Sequence, residues 1–538
     1  MSPPDLPPAG VGIGRRTVLR TLLLGGLGVA APGALAGCAR RMDAVAGAGP
    51  VTAVRGGTVV WGKPLEALAL NPTTSSVGAS WELIQVVYEP LVELDDDLGV
   101  VPALAQSWEN PAPGEWVFTL RSGARFSNGR PVDADDVVGT FARHLDPAKP
   151  TAFASYIGGT GTTVSRVDDR RVRFVLGAPR EMFLSALSAA VAVILPIREI
   201  GAGEVTPATE MLGTGPFMVE SHRQDRDWVL VRNPFSWRPP TADRLEVPII
   251  LDTNARIAAL RNGSIDIATF DEPDAALLLS DVPAVAVQVQ PRTDFFVLTL
   301  NAVGDTPFTD RRVRQAVAHG IDRERIRQVA LAGVGAVTGP VSATFPGALP
   351  TTVHRDTAKA RTLLAEAGRT DLHFEIIYGG PVAGGIAQII QQDLAEIGVT
   401  VRATQLEAAV LNQRSWVSTP ARMDAAVSFY AAFGGPLMAM RNWSPELAPF
   451  TAGFQEDDPS VTDLVTRAWS ASGPSADAAV RRASPALEEQ ANTIPLVTKP
   501  GIVAYRADRV APRISRLDGN LDVMQYAGAL SRVRTGGA

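Results

Sequence analysis

The sequence predicts a mixed α/β protein built from more than one lobe, and two observations carry that prediction. From Gly57 onward, short runs rich in β-branched residues alternate with stretches whose apolar residues recur at helical spacing. The chain is also 538 residues long, which exceeds what one hydrophobic core organises and is enough for two or three lobes. Hydrophobic residues make up 46% of the composition and charged residues 20%, as is typical of a folded globular protein.

The predicted strands are short runs of Val, Ile, Phe, Trp and Thr. They cover 58–61, 116–120, 172–176, 229–232, 247–251, 265–268 and 295–300. Pro248 has no N–H to donate to a strand ladder, so we place the strand at 247–251 at the edge of its sheet.

The predicted helices carry apolar residues on one face. They cover 80–88, a segment that begins after Asp133, and 254–261, 310–319, 322–330, 357–367 and 385–397. Asp133 has the chemistry of an N-cap, and Asp136, three residues later, completes a pattern close to a capping box. Asn262-Gly263 is a typical stop signal for the helix at 254–261.

The first residues indicate export and attachment to a membrane. Arg15 and Arg16 precede an apolar run at 22–35, which is shorter than the ~20 residues of a spanning helix and contains Gly and Pro. Small residues end the run, and Cys38, the single cysteine of the chain, follows at the position where a lipoprotein is acylated. We therefore predict a signal peptide at 1–37 and a lipidated tether rich in Gly and Ala at 38–56.

Two alternatives stay open in this segment. The Arg15-Arg16 pair with the apolar residues after it resembles a twin-arginine signal, but a plain charged segment for export of an unfolded chain has the same composition. Cys38 is also compatible with a buried free cysteine that follows an ordinary signal peptide.

Composition and motifs exclude several other classes of protein. A net charge of −6 argues against a nucleic-acid partner, which would require a basic excess. Five scattered histidines and one cysteine predict neither a metal site nor a cofactor. The chain lacks Gly-x-Ser-x-Gly, His-Glu-x-x-His and a Walker loop, so we expect no enzymatic activity.

Eight short blocks in collinear order resemble the extracytoplasmic solute-binding proteins of family 5, the dipeptide, oligopeptide and nickel class that serves ABC importers. Two of them are YEPLV at 88–92 and VPALAQSWE at 101–109. The others are FTLRSGARF at 118–126 with NG at 128–129 and DADDV at 133–137, GTGPF at 213–217, LRNGSID at 260–266, PFTDRRVRQA at 307–316, ARTLLAEAG at 360–368 and DLAEIG at 393–398.

The resemblance implies a two-lobed, hinged fold similar to type II periplasmic binding proteins, with an additional inserted subdomain. Domain I would comprise 57–76, 190–290 and 500–538, the insertion 77–189, and the second lobe 293–498. Pro291 and Pro500 would lie at the two chain crossings that form the hinge. The implied partners are a small-molecule or peptide ligand and the permease subunits of an ABC transporter. The implied location is the extracytoplasmic face of the cell membrane, to which a monomer is held by its lipid.

The resemblance also places the ligand site. It implies that the loop after the first strand contacts ligand, which here supplies Thr73, Thr74, Ser75 and Ser76, and that Phe270 and Asp271 line the cleft. The candidates for apolar and stacking surface are Trp416, Tyr430, Phe433 and Trp443. A Ser/Thr turn and core packing of the aromatics are the alternative interpretations.

One departure from the family pattern bears on the ligand. The segment FYAAFGGP at 429–436 aligns with the family's WxADYPDP, whose first Asp commonly holds the ammonium group of a peptide. Ala432 takes that position and Gly435 replaces the second Asp, so the ammonium lacks its counter-charge unless Asp271, Asp424 or Glu456 substitutes. We therefore expect an uncharged, N-blocked or non-peptide ligand. A metal chelate, haem or a sugar on the same fold, or a sensor lipoprotein without a transporter, are the alternatives.

Overall fold

The computed structural model describes residues 51–535, apart from 76–77, 150, 179, 181, 346, 433–434, 472–473 and 515–530. The predictions for Arg15, Arg16 and Cys38 lie outside the described residues, as do those for Ser76 and Phe433. No helix in the described part of the chain is long and apolar enough to cross a membrane.

A mixed ten-stranded sheet forms the centre of the fold, in the order β15-β14-β16-β13-β17-β12-β2-β11-β10-β9. Its strands in chain order are β2 (Thr58–Gly62), β9 (Phe217–Arg223), β10 (Asp227–Arg232), β11 (Arg244–Pro248), β12 (Ile267–Phe270), β13 (Val285–Leu300), β14 (His373–Tyr378), β15 (Thr400–Gln405), β16 (Ala425–Tyr430) and β17 (Thr493–Arg506).

Three smaller sheets hold the remaining strands of the described residues. β5 (Ala105–Ala112), β6 (Glu115–Leu120), β8 (Arg171–Val175) and β7 (Thr163–Arg166) form a four-stranded antiparallel sheet in that order. β3 (Val92–Leu94) pairs with β4 (Val100–Pro102), and β1 (Val51–Val54), β19 (Ser531–Thr535) and β18 (Val510–Ala511) form the third sheet.

Helices flank these sheets. In chain order they are α1 (Gly78–Val87), α2 (Ala134–His144), α3 (Phe183–Ala186), α4 (Ile197–Gly201), α5 (Thr253–Asn262), α6 (Asp274–Leu279), α7 (Arg311–Gly320), α8 (Arg323–Val329), α9 (Thr357–Glu366), α10 (Gly380–Ala395), α11 (Ala408–Asn412), α12 (Pro436–Met440), α13 (Pro459–Ser470) and α14 (Pro474–Gln490).

The two longest strands, β13 and β17, run through the middle of the large sheet and connect its two halves. They pair antiparallel, and the register places Pro291 directly opposite Pro500. The register shifts immediately after Pro291. Because neither proline has an N–H, neither strand donates a backbone hydrogen bond at this position, where the two halves of the sheet meet.

Local signals predicted the helix ends well. The Asp133 carboxylate accepts from the backbone N–H of Asp135 and Asp136, and Asp136 accepts from the N–H of Asp133, so the capping box is confirmed. Gly263 ends α5 with a φ of 75°, in the left-handed region that glycine adopts without strain.

Two predictions of detail are wrong. β11 is not an edge strand, because it lies between β2 and β10. Pro248 is its last residue, where the lost N–H interrupts the ladder only at its end. The helix predicted to begin at residue 385 begins at Gly380, because Pro381 fits the first turn of α10, where an N–H has no helical partner.

The four-stranded sheet and α2 enclose a core of aromatic side chains. Phe118, Phe141, Phe174 and Phe183 have no exposed surface, and the Phe141 and Phe174 rings meet edge to face at 5.0 Å. The same hydrophobic cluster continues into residues 430–487, through Trp443 and Trp469.

Candidate ligand-binding cleft

A large cavity of about 1270 Å³ lies against these elements. Its walls come from segments that are far apart in sequence: residues 71–75, 78–81, 143–149, 151–156, 271–272, 379–383, 411–417, 427–431 and 438–450, with Lys499. This volume suits a small solute or a short peptide, and the walls belong to all three parts that the sequence analysis distinguished.

The loop after β2 forms part of one wall. Thr73, Thr74 and Ser75 all line the cavity, and the side chain and carbonyl of Asn71 accept the backbone N–H groups that fold the loop. The Ser75 carbonyl accepts from Trp81 Nε1 at 3.2 Å, while its hydroxyl is buried and meets no protein partner. The loop thus offers hydroxyl groups to a ligand from a fixed backbone.

Aromatic rings form another part of the cavity wall. Trp416 and Tyr430 line the cavity with ring centroids 6.3 Å apart, and Phe450 lies 5.7 Å from Trp416. The Tyr430 hydroxyl lies 3.1 Å from Thr493 Oγ1, and burial raises its pKa above the ordinary value, so it is a neutral hydrogen-bonding group. Phe429 is 47% exposed in the cavity, under the ammonium of Lys499 at 4.9 Å.

Three of the predicted site residues are not brought to the cavity. Phe270 packs in a separate core cluster, with the Arg256 guanidinium 5.2 Å from its ring. Trp443 is buried behind Tyr430, at 5.4 Å edge to face. Ala432 is fully buried, and Ala431, its neighbour, lines the cavity instead. Residues 428–432 therefore present no acidic side chain to a ligand.

Asp271 does line the cavity, but its charge is already matched. Its carboxylate lies 3.2 Å from Lys499 Nζ and 3.5 Å from Arg292 Nη1. Desolvation acts to raise the pKa of Asp271, but the charges of Lys499 and Arg292 outweigh it and lower the pKa below its ordinary value. Asp424 and Glu456, the other two carboxylates considered for an ammonium group, are not among the residues that line the cavity.

Sequence reasoning missed the polar residues that are least satisfied in the cavity, Arg441 and Asn442. Both line the cavity directly after α12. Arg441 lies over the ring of Tyr156, 4.6 Å from its centroid, and the Tyr156 ring packs edge to face on Trp469. No motif marks these positions, because the nearest block of family resemblance ends five residues before Arg441.

A family model for the bacterial extracellular solute-binding proteins, family 5 (middle), matches residues 99–452. The chain belongs to this family. The family match covers the four-stranded sheet, strands β9 to β16 of the large sheet, and most of the cavity wall.

Individual proteins agree with that family. The di/tripeptide-binding protein 2 of Pseudomonas aeruginosa is 31% identical over 348 residues, which is 57% of this chain and 64% of the relative, slightly less than two thirds of its length. The nickel-binding periplasmic protein of Escherichia coli is 27% identical over 376 residues, which is 64% of this chain and 70% of the relative.

A solved structure confirms the fold class. The periplasmic binding protein DppA of Helicobacter pylori, in complex with a peptide, superposes with a TM-score of 0.78 at 23% identity. The superposition covers 89% of this chain and 98% of that one, so the expected two-lobed α/β architecture is confirmed.

Proposed function

We propose that the chain is the substrate-binding protein of an ABC importer, which captures a peptide-like or other small solute in the cleft and delivers it to a membrane permease. The observation that carries this proposal is the cavity itself, about 1270 Å³ in volume and lined by both hydroxyl groups and aromatic rings. Concave sites of this size and mixed lining are typical of small-solute receptors. Membership of a solute-binding family and the peptide or nickel named for the two relatives support the same function.

Capture would occur by closure of two lobes around the solute. Domain I (57–76, 190–290 and 500–538) and the second lobe (293–498) would rotate about the paired prolines Pro291 and Pro500, next to which the register between β13 and β17 shifts. The insertion at 77–189 contributes Tyr156 to the cavity wall and would carry this side chain with it during closure. Closure would remove solute and cleft from water, which strengthens each polar contact.

The protein would work from the outer face of the membrane. Cys38 would carry the lipid, and residues 39–56 would be the tether that lets the receptor reach the permease. We expect Cys38→Ala to release the protein from the membrane fraction and to abolish metabolic labelling with palmitate. Replacement of Arg15 and Arg16 by Lys would stop export if the twin-arginine route is used, and would leave export intact if it is not.

The transport role has a direct test. Native mass spectrometry of protein purified without denaturation identifies any retained solute. Reconstitution with the cognate permease and ATPase subunits then measures how the receptor changes the rate of ATP hydrolysis. We expect the loaded receptor to stimulate ATP hydrolysis several-fold over the empty receptor. A loaded receptor that leaves ATP hydrolysis unchanged would contradict the transport role and favour a sensor lipoprotein.

A further inference from the structure

Arg441 is a buried cation whose hydrogen-bonding groups are mostly unused. Its side chain is only 9% exposed, yet one hydrogen bond, from Nη1 to the Leu447 carbonyl at 3.1 Å, is its whole set of polar contacts among the described residues. Nε is buried and has no acceptor. A guanidinium carries five N–H donors, so most of them await a partner.

Two other buried arginines of the same chain each donate three hydrogen bonds. Arg314 donates to the carbonyls of Phe308, Thr309 and Gln490 at 2.6–3.2 Å. Arg323 likewise donates to three carbonyls, those of Ala318, Val353 and Pro495, at 2.8–3.2 Å. Neither arginine lines the cavity, whereas Arg441 does. The fold can therefore supply three carbonyl acceptors to a buried guanidinium, whereas Arg441, which lines the cleft, has one.

The surroundings of Arg441 are built to hold it in place. One face of the guanidinium lies 4.6 Å from the Tyr156 ring, and the Phe450 ring lies at 6.0 Å. Asn442, next in sequence, also lines the cavity, and its Oδ1 is buried without a hydrogen-bond partner. A fixed, partly desolvated guanidinium with unused N–H donors is the group that recognises a carboxylate through two parallel hydrogen bonds.

The acidic side chains of the cleft do not neutralise Arg441. Asp271 pairs with Lys499 and Arg292, and Glu272 accepts from Thr253 and lies 3.9 Å from Arg256. Asp146 is exposed and accepts the backbone N–H of Ala148. The ion pairs of the described residues include none to Arg441, so its charge is free for a ligand.

We propose that Arg441 is the anion-binding residue of the cleft, and that the solute carries a carboxylate or similarly compact anionic group which pairs with it while its apolar body lies against Trp416 and Phe450. This inference rests on the proposed function and narrows it. An uncharged solute is no longer the expected ligand, and an N-blocked peptide or a non-peptide acid is.

Three probes of nearly equal shape and different charge test the assignment. Phenylacetate, phenylacetamide and 2-phenylethylammonium each present an aromatic body for Trp416, with an anionic, neutral or cationic head. We expect ligand-detected NMR titration of the full chain to show that phenylacetate binds at least about ten-fold more tightly than the other two. Arg441→Gln should remove that preference, and Arg441→Lys should keep part of it because the charge remains.

The control removes a positive charge elsewhere. Arg467 on α13 is 68% exposed and pairs within its own helix with Asp463, so Arg467→Gln should leave phenylacetate affinity unchanged. Circular dichroism and urea unfolding would establish that each variant is folded before its affinity is compared.

Several outcomes would overturn the assignment. Equal affinity for the three probes, tighter binding of the ammonium, no binding of phenylacetate, or unchanged affinity in Arg441→Gln would each do so. A retained solute that is neutral or cationic and still stimulates the transporter would overturn this inference while the proposed function stands. Selective phenylacetate binding by a receptor that never stimulates the transporter would support the role of Arg441 and contradict the proposed function.

Discussion

Two regions of this molecule treat their buried polar atoms in opposite ways. In residues 90–213, which contain the four-stranded sheet and α2, every buried side-chain nitrogen or oxygen of the described residues has a hydrogen-bond partner. In residues 411–469 eight described residues have a buried polar side-chain atom that no protein atom satisfies: Ser415, Ser428, Arg441, Asn442, Trp443, Gln455, Thr466 and Trp469. A buried unpaired group is costly, and three of these eight residues, Ser428, Arg441 and Asn442, line the cavity, where a ligand can supply the missing partners.

The largest effect is expected where the saturated region loses a charge. Arg130 donates to both oxygens of Asp136 at 2.8 Å and to Glu199 at 2.7–2.8 Å. Arg130→Met would leave two buried carboxylates without their cation. We expect the free energy of unfolding to fall by about 4 kcal/mol in urea denaturation.

An exposed ion pair in the same region provides the control. Arg171 and Asp168 lie 2.7 Å apart with about half of each side chain exposed, so Arg171→Met should leave the free energy of unfolding nearly unchanged. Equal losses for Arg130→Met and Arg171→Met would contradict the view that burial and saturation set the cost.

The second prediction uses two adjacent alanines that face opposite ways. Ala432 is fully buried and Ala431 lines the cleft, so Ala432→Asp would bury a carboxylate without a partner, while Ala431→Asp would add one to the cavity wall. We expect Ala432→Asp to destabilise the protein by about 3 kcal/mol. Ala431→Asp should unfold at nearly the wild-type urea concentration and should gain affinity for a free-amino dipeptide in calorimetry.

The opposite result for the two variants would change which alanine is assigned to the cleft. If Ala432→Asp folded normally and gained dipeptide affinity, while Ala431→Asp did not, the segment after β16 would present the other face to the cleft. The family alignment would then have identified the position correctly.

Sequence reasoning succeeded where the deciding interactions are local. The capping box at Asp133 and the stop at Gly263 depend on neighbours within a few residues, and both predictions are confirmed. It failed where tertiary packing decides. A strand pattern cannot tell an edge from an interior position, so Pro248 led to the wrong place for β11.

The candidate site divides in the same way. The family resemblance implies that the hydroxyl loop at Thr73 contacts the ligand, and this loop lines the cavity. Nothing in the sequence distinguishes Tyr430 from Trp443 as a site candidate. Only packing places Tyr430 in the cavity wall and Trp443 behind it. Arg441 has no signal at all, because its significance lies in the acceptors that are missing around it. Such an absence is visible only once the fold has brought distant segments together.

The third prediction concerns His144, a buried residue just behind the cleft wall. Its Nδ1 lies 2.8 Å from Thr151 Oγ1 and its Nε2 lies 3.0 Å from the Val191 carbonyl. Burial lowers the pKa of the ring from 6.5 to about 4, so the folded state favours the neutral form. The unfolded chain therefore binds more protons between these two pH values.

The sign of the pH dependence follows. The contribution of His144 to the free energy of unfolding is fully present above pH 6.5. It is lost as pH falls towards about 4, by up to about 3 kcal/mol in total. Urea unfolding at pH 7, 6, 5 and 4.5 would measure it, with His144→Gln as the comparison because glutamine does not titrate. Parallel pH profiles for the two proteins would show that other groups produce the loss.

The smallest effect on stability is expected at the cleft, from a change that removes a charge as completely as Arg130→Met does. Arg441→Met keeps a long side chain to pack on Tyr156 and removes a buried guanidinium that has only one hydrogen bond. We expect the free energy of unfolding of solute-free protein to stay the same or to rise by up to about 1 kcal/mol. Phenylacetate binding should be lost in the same variant.

The matched variant is Arg314→Met, since that arginine is equally buried but donates three hydrogen bonds to carbonyl groups. Its loss should cost about 2 to 4 kcal/mol, because the carbonyls stay buried without donors. If Arg441→Met instead cost as much as Arg314→Met, Arg441 would be holding the fold together and its unused donors would have no bearing on the ligand. If Arg441→Met raises the free energy of unfolding while Arg314→Met lowers it, the cleft retains a cation with unpaired donors at the expense of stability, as is expected of a binding site.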